Sequence, residues 1–224
     1  MIKFETNNIK LILKDYWKLS IEEEKIAKEL LKNFTGISIR EKGSKDLVKK
    51  HFGINPEIVL DPTLLIDKKY YLNLIPNIRN NKKNIQNYIF VYKLNKLQNL
   101  NDIIIKSSEE LNYKIYEYRL NNRNKIEDFI YYISNSKAVI TDSFHGTIFS
   151  IIFNKPFISF NWKGSAEERL KSLGDLLGVT NRIISNDQKP EIRLLKIPLY
   201  INKKLLKKMK IKSIKYLKKY LLKK

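Results

Sequence analysis

The sequence predicts an α/β fold in which a parallel sheet carries helices on both faces. Three observations lead there. From about residue 85 to 178, short runs rich in β-formers alternate with segments of helical periodicity. The central run, NYIFVY (87–92), is apolar almost throughout, as a strand covered on both sides must be. The chain has 224 residues, of which 43% are hydrophobic, enough to bury a full core. The alternation makes the predicted sheet Rossmann-like, and ligands in such sheets bind outside the carboxyl ends of the strands.

Each element has its own signal. Residues 20–34 predict a helix, because Ser20 with Glu23 fits a capping box and Ile26, Leu30 and Phe34 repeat at helical spacing. GISIR (36–40) is a short strand, and EIVLD (57–61) is another, stopped by Pro62. After NYIFVY come a helix over 98–111, the strand YKIYEYR (113–119) and a helix over 125–135 with Phe129, Ile130 and Ile133 inward. KAVIT (137–141) is a strand, HGTIFSIIF (145–153) a buried helix and PFISF (156–160) a strand. The last helix of the block, 165–177, pairs Ser165 with Glu168 as a capping box, with Gly178 at its C′ position. The Asn-rich stretch 77–87 is the expected flexible loop.

Composition excludes several kinds of chemistry. Cysteine is absent, so disulfides, thiolate metal sites and cysteine nucleophiles are excluded. With two histidines, His51 and His145, no metal site is expected. No apolar run approaches the ~20 residues of a membrane span. The N-terminus lacks a secretion signal, and a cytoplasmic location is expected. The net charge is +21, but only seven of the 44 basic residues are arginine, the residue on which nucleic-acid readers lean. Eleven lysines and no acid fall in residues 203–224, so about half of the excess sits in the tail. A nucleic-acid partner is therefore not expected. The tail, 201–224, reads as a basic amphipathic helix with Leu206, Met209, Ile214, Leu217 and Leu221 in one stripe. It is expected to dock on its own domain or on a further domain, with its basic face solvated. Peripheral contact of residues 203–224 with the inner face of a membrane is the alternative.

KAVITDSFHGTIFSIIFNKPFISF (137–160) is where chemistry is expected. A buried strand ends at Thr141, and Asp142 or Ser143 can cap the following helix. His145 falls in the first turn, where free N–H groups and the positive end of the dipole attract anions. Gly146 beside it would let a ligand approach the backbone. His145 could hold a phosphate or carboxylate, or pass a proton to a substrate. On position alone the plainer reading stays open: Asp142 a cap, and His145 a satisfied histidine. His51, in a basic polar stretch, is expected to be exposed, and Asp61 before Pro62 to be a turn residue.

ITDSFHGTIFSIIFNKPFISF resembles the signature of the polysaccharide pyruvyl transferase family. GISIREKGSKDLVKKHFG (36–53), VLDPTLLID (59–67) and AEERLKSLGDLLGV (166–179) resemble further segments of that family in the same order. The resemblance covers roughly residues 16–220. It implies a fold like the C-terminal half of a two-domain GT-B-like enzyme, with a site in the interdomain cleft. On this reading 1–19 is an N-terminal remnant or linker, 20–200 the Rossmann-like domain and 201–224 the terminal helix, with a further N-terminal domain or partner subunit expected. The implied activity is transfer of the enolpyruvyl carbons of phosphoenolpyruvate to a saccharide acceptor, which lipid linkage would suit, closing a ketal in surface or exopolysaccharide biosynthesis. No cofactor is implied, since the donor carries the group transferred.

By resemblance, His145 is the catalytic acid/base or donor contact, and Arg40 binds the anionic donor. Arg169 stands where the family often has arginine near a helix start. Asp142, Ser143, Phe144 and Gly146 complete the expected substrate-binding set. Where some members carry Arg-Leu, this chain carries Ser143-Phe144 before His145-Gly146. The neighbours of two candidates suggest plainer roles: Arg40 with Glu41, a surface pair, and Arg169 after Glu167 and Glu168, a structural one. Two other readings are a GT-B-like glycosyltransferase domain using a nucleotide sugar, and a non-catalytic interaction or membrane-surface module.

Overall fold

Five short segments become the strands of one parallel sheet, four of them as expected and a fifth, at 183–185, that was not. The computed structural model describes residues 2–6, 9–13, 20–75, 85–95, 100–119, 125–161, 167–185 and 188–221. The chain starts with an antiparallel pair, β1 (Ile2–Thr6) and β2 (Ile9–Leu13), where no regular element was expected. Helix α1 (Ile21–Leu31) follows, and both bonds of its capping box are present. Next come β3 (Ser38–Ile39), α2 (Ser44–Phe52), β4 (Glu57–Ile58), a 3-10 turn over Pro62–Leu65 and α3 (Lys68–Leu72). The main sheet takes β5 (Tyr88–Tyr92), α4 (Leu100–Leu111), β6 (Lys114–Tyr118), α5 (Ile126–Asn135), β7 (Ala138–Thr141), α6 (Phe144–Ile152), β8 (Phe157–Asn161), α7 (Glu167–Leu177) and β9 (Ile183–Ser185). Helix α8 (Lys203–Leu221) closes the described chain.

The sheet order is β6-β5-β7-β8-β9, parallel throughout. The fold is Rossmann-like α/β, with helices on both faces. Phe90, Val139 and Phe157 face α5, α6 and α7, burying Ile133, Ile148 and Leu170. On the other face Ile89, Val91, Ile140 and Ile158 meet Leu100 and Ile104 of α4 and Leu195 of a 3-10 turn. Gly178 ends α7 at φ 72°, a conformation open to glycine at no steric cost. Ser165 lies outside the described residues, so its part in the α7 capping box does too. So does most of the expected loop 77–87.

The two strands expected at 36–40 and 57–61 shrink to two residues each and pair with each other, parallel, apart from the main sheet. Residues 20–200 thus hold two parallel sheets.

Helix α8 docks on this chain. Leu206 and Met209 pack against the core, Ser213 is buried, and the Tyr220 ring lies against the backbone at Gly36. Lys210 and Lys212 pair with Asp67 and Glu57. The inward stripe differs from the expected one. It runs through Leu206, Met209, Ser213, Tyr216 and Tyr220, and Leu217 stands 40% exposed. A docking surface that includes backbone accepts hydroxyl-bearing residues that apolar periodicity overlooks. No helix among the described residues is long and apolar enough to cross a membrane.

Candidate functional site

The strand order reverses between β5 and β7, since the chain passes from β5 to β6 on one side and returns to β7 on the other. Such a switch point opens a crevice at the carboxyl ends of the two strands. Asp142 follows β7 there. Its Oδ1 accepts from the Leu94 N–H at 2.7 Å, and its Oδ2 from the Asn95 N–H and side-chain amide at 2.9 and 3.0 Å. Asp142 therefore ties the loop after β5 to the end of β7, and the cap belongs to its neighbour. Ser143 accepts from the Gly146 N–H at 3.3 Å and is the N-cap of α6.

Gly146 serves packing, in place of the open approach for a ligand expected of it. A Cβ there would lie 2.4 Å from Thr141 Oγ1, so helix and strand touch at this point. Thr141 Oγ1 in turn donates to the Tyr92 carbonyl at 2.6 Å and accepts from the Ser143 N–H at 3.0 Å. These bonds fix the first turn of α6 and aim the residue that follows Phe144. His145 is that residue. Its side chain is half exposed in a helix otherwise almost wholly buried.

Other elements bring charge to His145. Arg40 follows β3 and Asp61 follows β4, so the small sheet also presents its carboxyl ends here. Asp61 is buried, and its Oδ1 accepts from the Thr63 N–H at 3.0 Å and from Thr63 Oγ1 at 2.6 Å. Its Oδ2 accepts from Arg40 Nη1 and lies 4.0 Å from His145 Nε2. Arg169, in the first turn of α7, places its guanidinium 5.0 Å from the centre of the Phe144 ring and its Nε 3.8 Å from Glu41 Oε1. Glu41 is itself buried. The loop after β3 is further held to α7 by a bond from the Lys42 N–H to Ser172 Oγ at 3.2 Å.

Titration follows from this arrangement. Burial works against the Asp61 charge, but the Thr63 bonds and the charges of Arg40 and His145 outweigh it and hold the carboxyl below its usual range. Burial of the inner part of the His145 ring lowers its pKa; Asp61 opposes that, while Arg40 and Arg169 reinforce it. The site is thus two arginines and a histidine over a pair of buried carboxylates, an arrangement suited to a small, multiply charged anion. Two clefts elsewhere are less suited. One, lined by Gln86, Tyr131 and Lys137, sits at the amino ends of β5 and β7, and the other lies along Leu64, Ile152 and Leu206.

Among the expected residues, Arg40, Phe144, His145 and Arg169 come together, while Asp142, Ser143 and Gly146 hold the frame. Arg40 pairs with Asp61 and not with its neighbour Glu41, which faces Arg169. Asp61 and Glu41 were missed as site residues. The signal for Asp61 was present, a carboxylate ending a strand just before proline, but it reads equally as a turn. His51 is not freely exposed: its Nδ1 lies 3.0 Å from Glu24 Oε2.

The polysaccharide pyruvyl transferase family model matches residues 16–164, well over half of the chain. Arg40, Asp61 and residues 142–146 lie within the match, and Arg169 lies beyond it. A search of curated proteins finds no match.

Proposed function

The chain belongs to the polysaccharide pyruvyl transferase family, and from that premise we propose that it uses phosphoenolpyruvate to place a pyruvyl ketal on a saccharide of the cell surface. One observation supports the reading above the others: Arg40, His145 and Arg169 converge on the carboxyl ends of both parallel sheets. Phosphoenolpyruvate carries a phosphate and a carboxylate. Arginine forks are the natural partners of both.

His145 is the proposed acid/base. Adding a sugar hydroxyl across the donor double bond removes one proton from the hydroxyl and places one on the methylene carbon. A half-exposed imidazole can take the first and give the second. Loss of inorganic phosphate then opens the central carbon to the second hydroxyl, whose proton leaves as the ketal closes. Arg40 and Arg169 stabilise the charge on the departing phosphate. Asp142 acts on this reading through the frame it holds.

The test is incubation of the full chain with phosphoenolpyruvate and a panel of saccharides. The expected product is a saccharide bearing one pyruvyl ketal, with phosphate released in equal amount. In His145→Ala the rate falls by about 10²–10⁴-fold. Intact phosphoenolpyruvate together with glycosyl transfer from a nucleotide sugar would replace this reading with a glycosyltransferase one.

A further inference from the structure

We propose that Asp61 is the positioning residue of this site, one carboxylate whose Oδ2 couples Arg40 to His145 so that both serve a single incoming anion; the proposal rests on the donor-site reading above. The two oxygens of Asp61 have separate duties. Oδ1 is engaged by the Thr63 N–H and hydroxyl, which fixes the plane of the carboxylate. Oδ2 is thereby turned towards Arg40 and His145.

The segment carrying Asp61 is itself anchored from behind. Leu60 donates its N–H to the buried Ser213 Oγ of α8 at 2.9 Å, and Tyr71 donates its hydroxyl to the Thr63 carbonyl at 2.9 Å. A buried carboxylate held this firmly changes position little when its partners move. It therefore sets where the Arg40 fork points before any anion arrives, which lowers the ordering needed on binding.

Asp61 also acts on the proton of His145. Among the described residues, the charged groups facing that ring are Asp61 before the 3-10 turn, Arg40 after β3 and Arg169 on α7. Asp61 is the one anion among them, so it is the group that sustains a proton on His145 against two cations. Without it the ring gives up its proton at lower pH. Any anion affinity that depends on a charged His145 then also declines at lower pH.

The chain has two histidines, which makes the test direct. The imidazole NMR signals of the full chain are followed against pH without donor, with His51→Gln to assign them. In Asp61→Asn the His145 midpoint falls by about half a pH unit or more, and Asp61→Glu brings it back towards the parent value. A folded Asp61→Asn protein whose His145 titrates as in the parent overturns the proposal. Should Asp61→Asn not fold, Asp61→Ser takes its place: a lowered His145 midpoint supports the coupling, and an unchanged one overturns it. Phosphoenolpyruvate affinity against pH is measured on the same proteins. A decline displaced to lower pH in Asp61→Asn supports the shared-anion role. If the midpoint moves but the parent ignores phosphoenolpyruvate at every pH, the coupling stands and the donor reading falls.

Discussion

At the scale of single residues, Gly146 decides whether His145 can be aimed at all. A methyl group there meets Thr141 Oγ1 and, at 3.1 Å, Thr141 Cβ, in a region buried on every side. Gly146→Ala is therefore expected to cost about 1–3 kcal/mol in urea unfolding. Unchanged stability would show that helix and strand have room to part. His145 supplies a second expectation. Burial and the two arginines hold its pKa below the ordinary imidazole value, and a bound dianion would raise it. Donor binding near neutrality should take up protons, measurable by calorimetry in buffers of different ionisation enthalpy. In His145→Ala that part of the uptake disappears.

At the scale of elements, α8 reaches the site through Ser213. The hydroxyl accepts from the Leu60 N–H, one residue before Asp61, and donates to the Met209 carbonyl at 2.8 Å. Ser213→Ala strands a backbone N–H in the interior, at a cost of about 1–3 kcal/mol. A Tm equal to the parent's would contradict that. Much at this scale was legible in the sequence. The strands β5, β7 and β8 announce themselves by unbroken apolar runs and α1 by its capping box, whereas the three-residue β9 was not foreseen, being too short to carry a pattern. Helix α2 did not, because in SKDLVKKHF only Ser44 and Val48 are buried, too few for a periodic stripe. The strands β3 and β4 were placed but overextended, since Arg40 and Asp61 leave the ladder to enter the site.

At the scale of the whole molecule, the site exists because two sheets and two helix starts point the same way. His145 was readable because its frame is local: strand, cap and first turn lie within a few residues. The partnership of Asp61 with Arg40 spans 21 residues and that with His145 joins separate sheets. No local pattern encodes such distances, and only packing brings them together. The same arrangement predicts acid sensitivity. Asp61, with its pKa depressed, contributes stability that is complete above the unfolded value of about 3.9 and lost as pH falls through the folded one.

Whether this cluster of Arg40, His145 and Arg169 holds the donor is read out by thermal unfolding with and without phosphoenolpyruvate. Ligand at 100 times its Kd adds about 2.7 kcal/mol. At roughly 2–4 °C per kcal/mol for a chain of this size, Tm rises by several degrees. That rise is expected in the parent and is lost in both His145→Ala and Arg40→Ala. A rise that survives both substitutions, or a cooperatively folding parent that shows none, would contradict it.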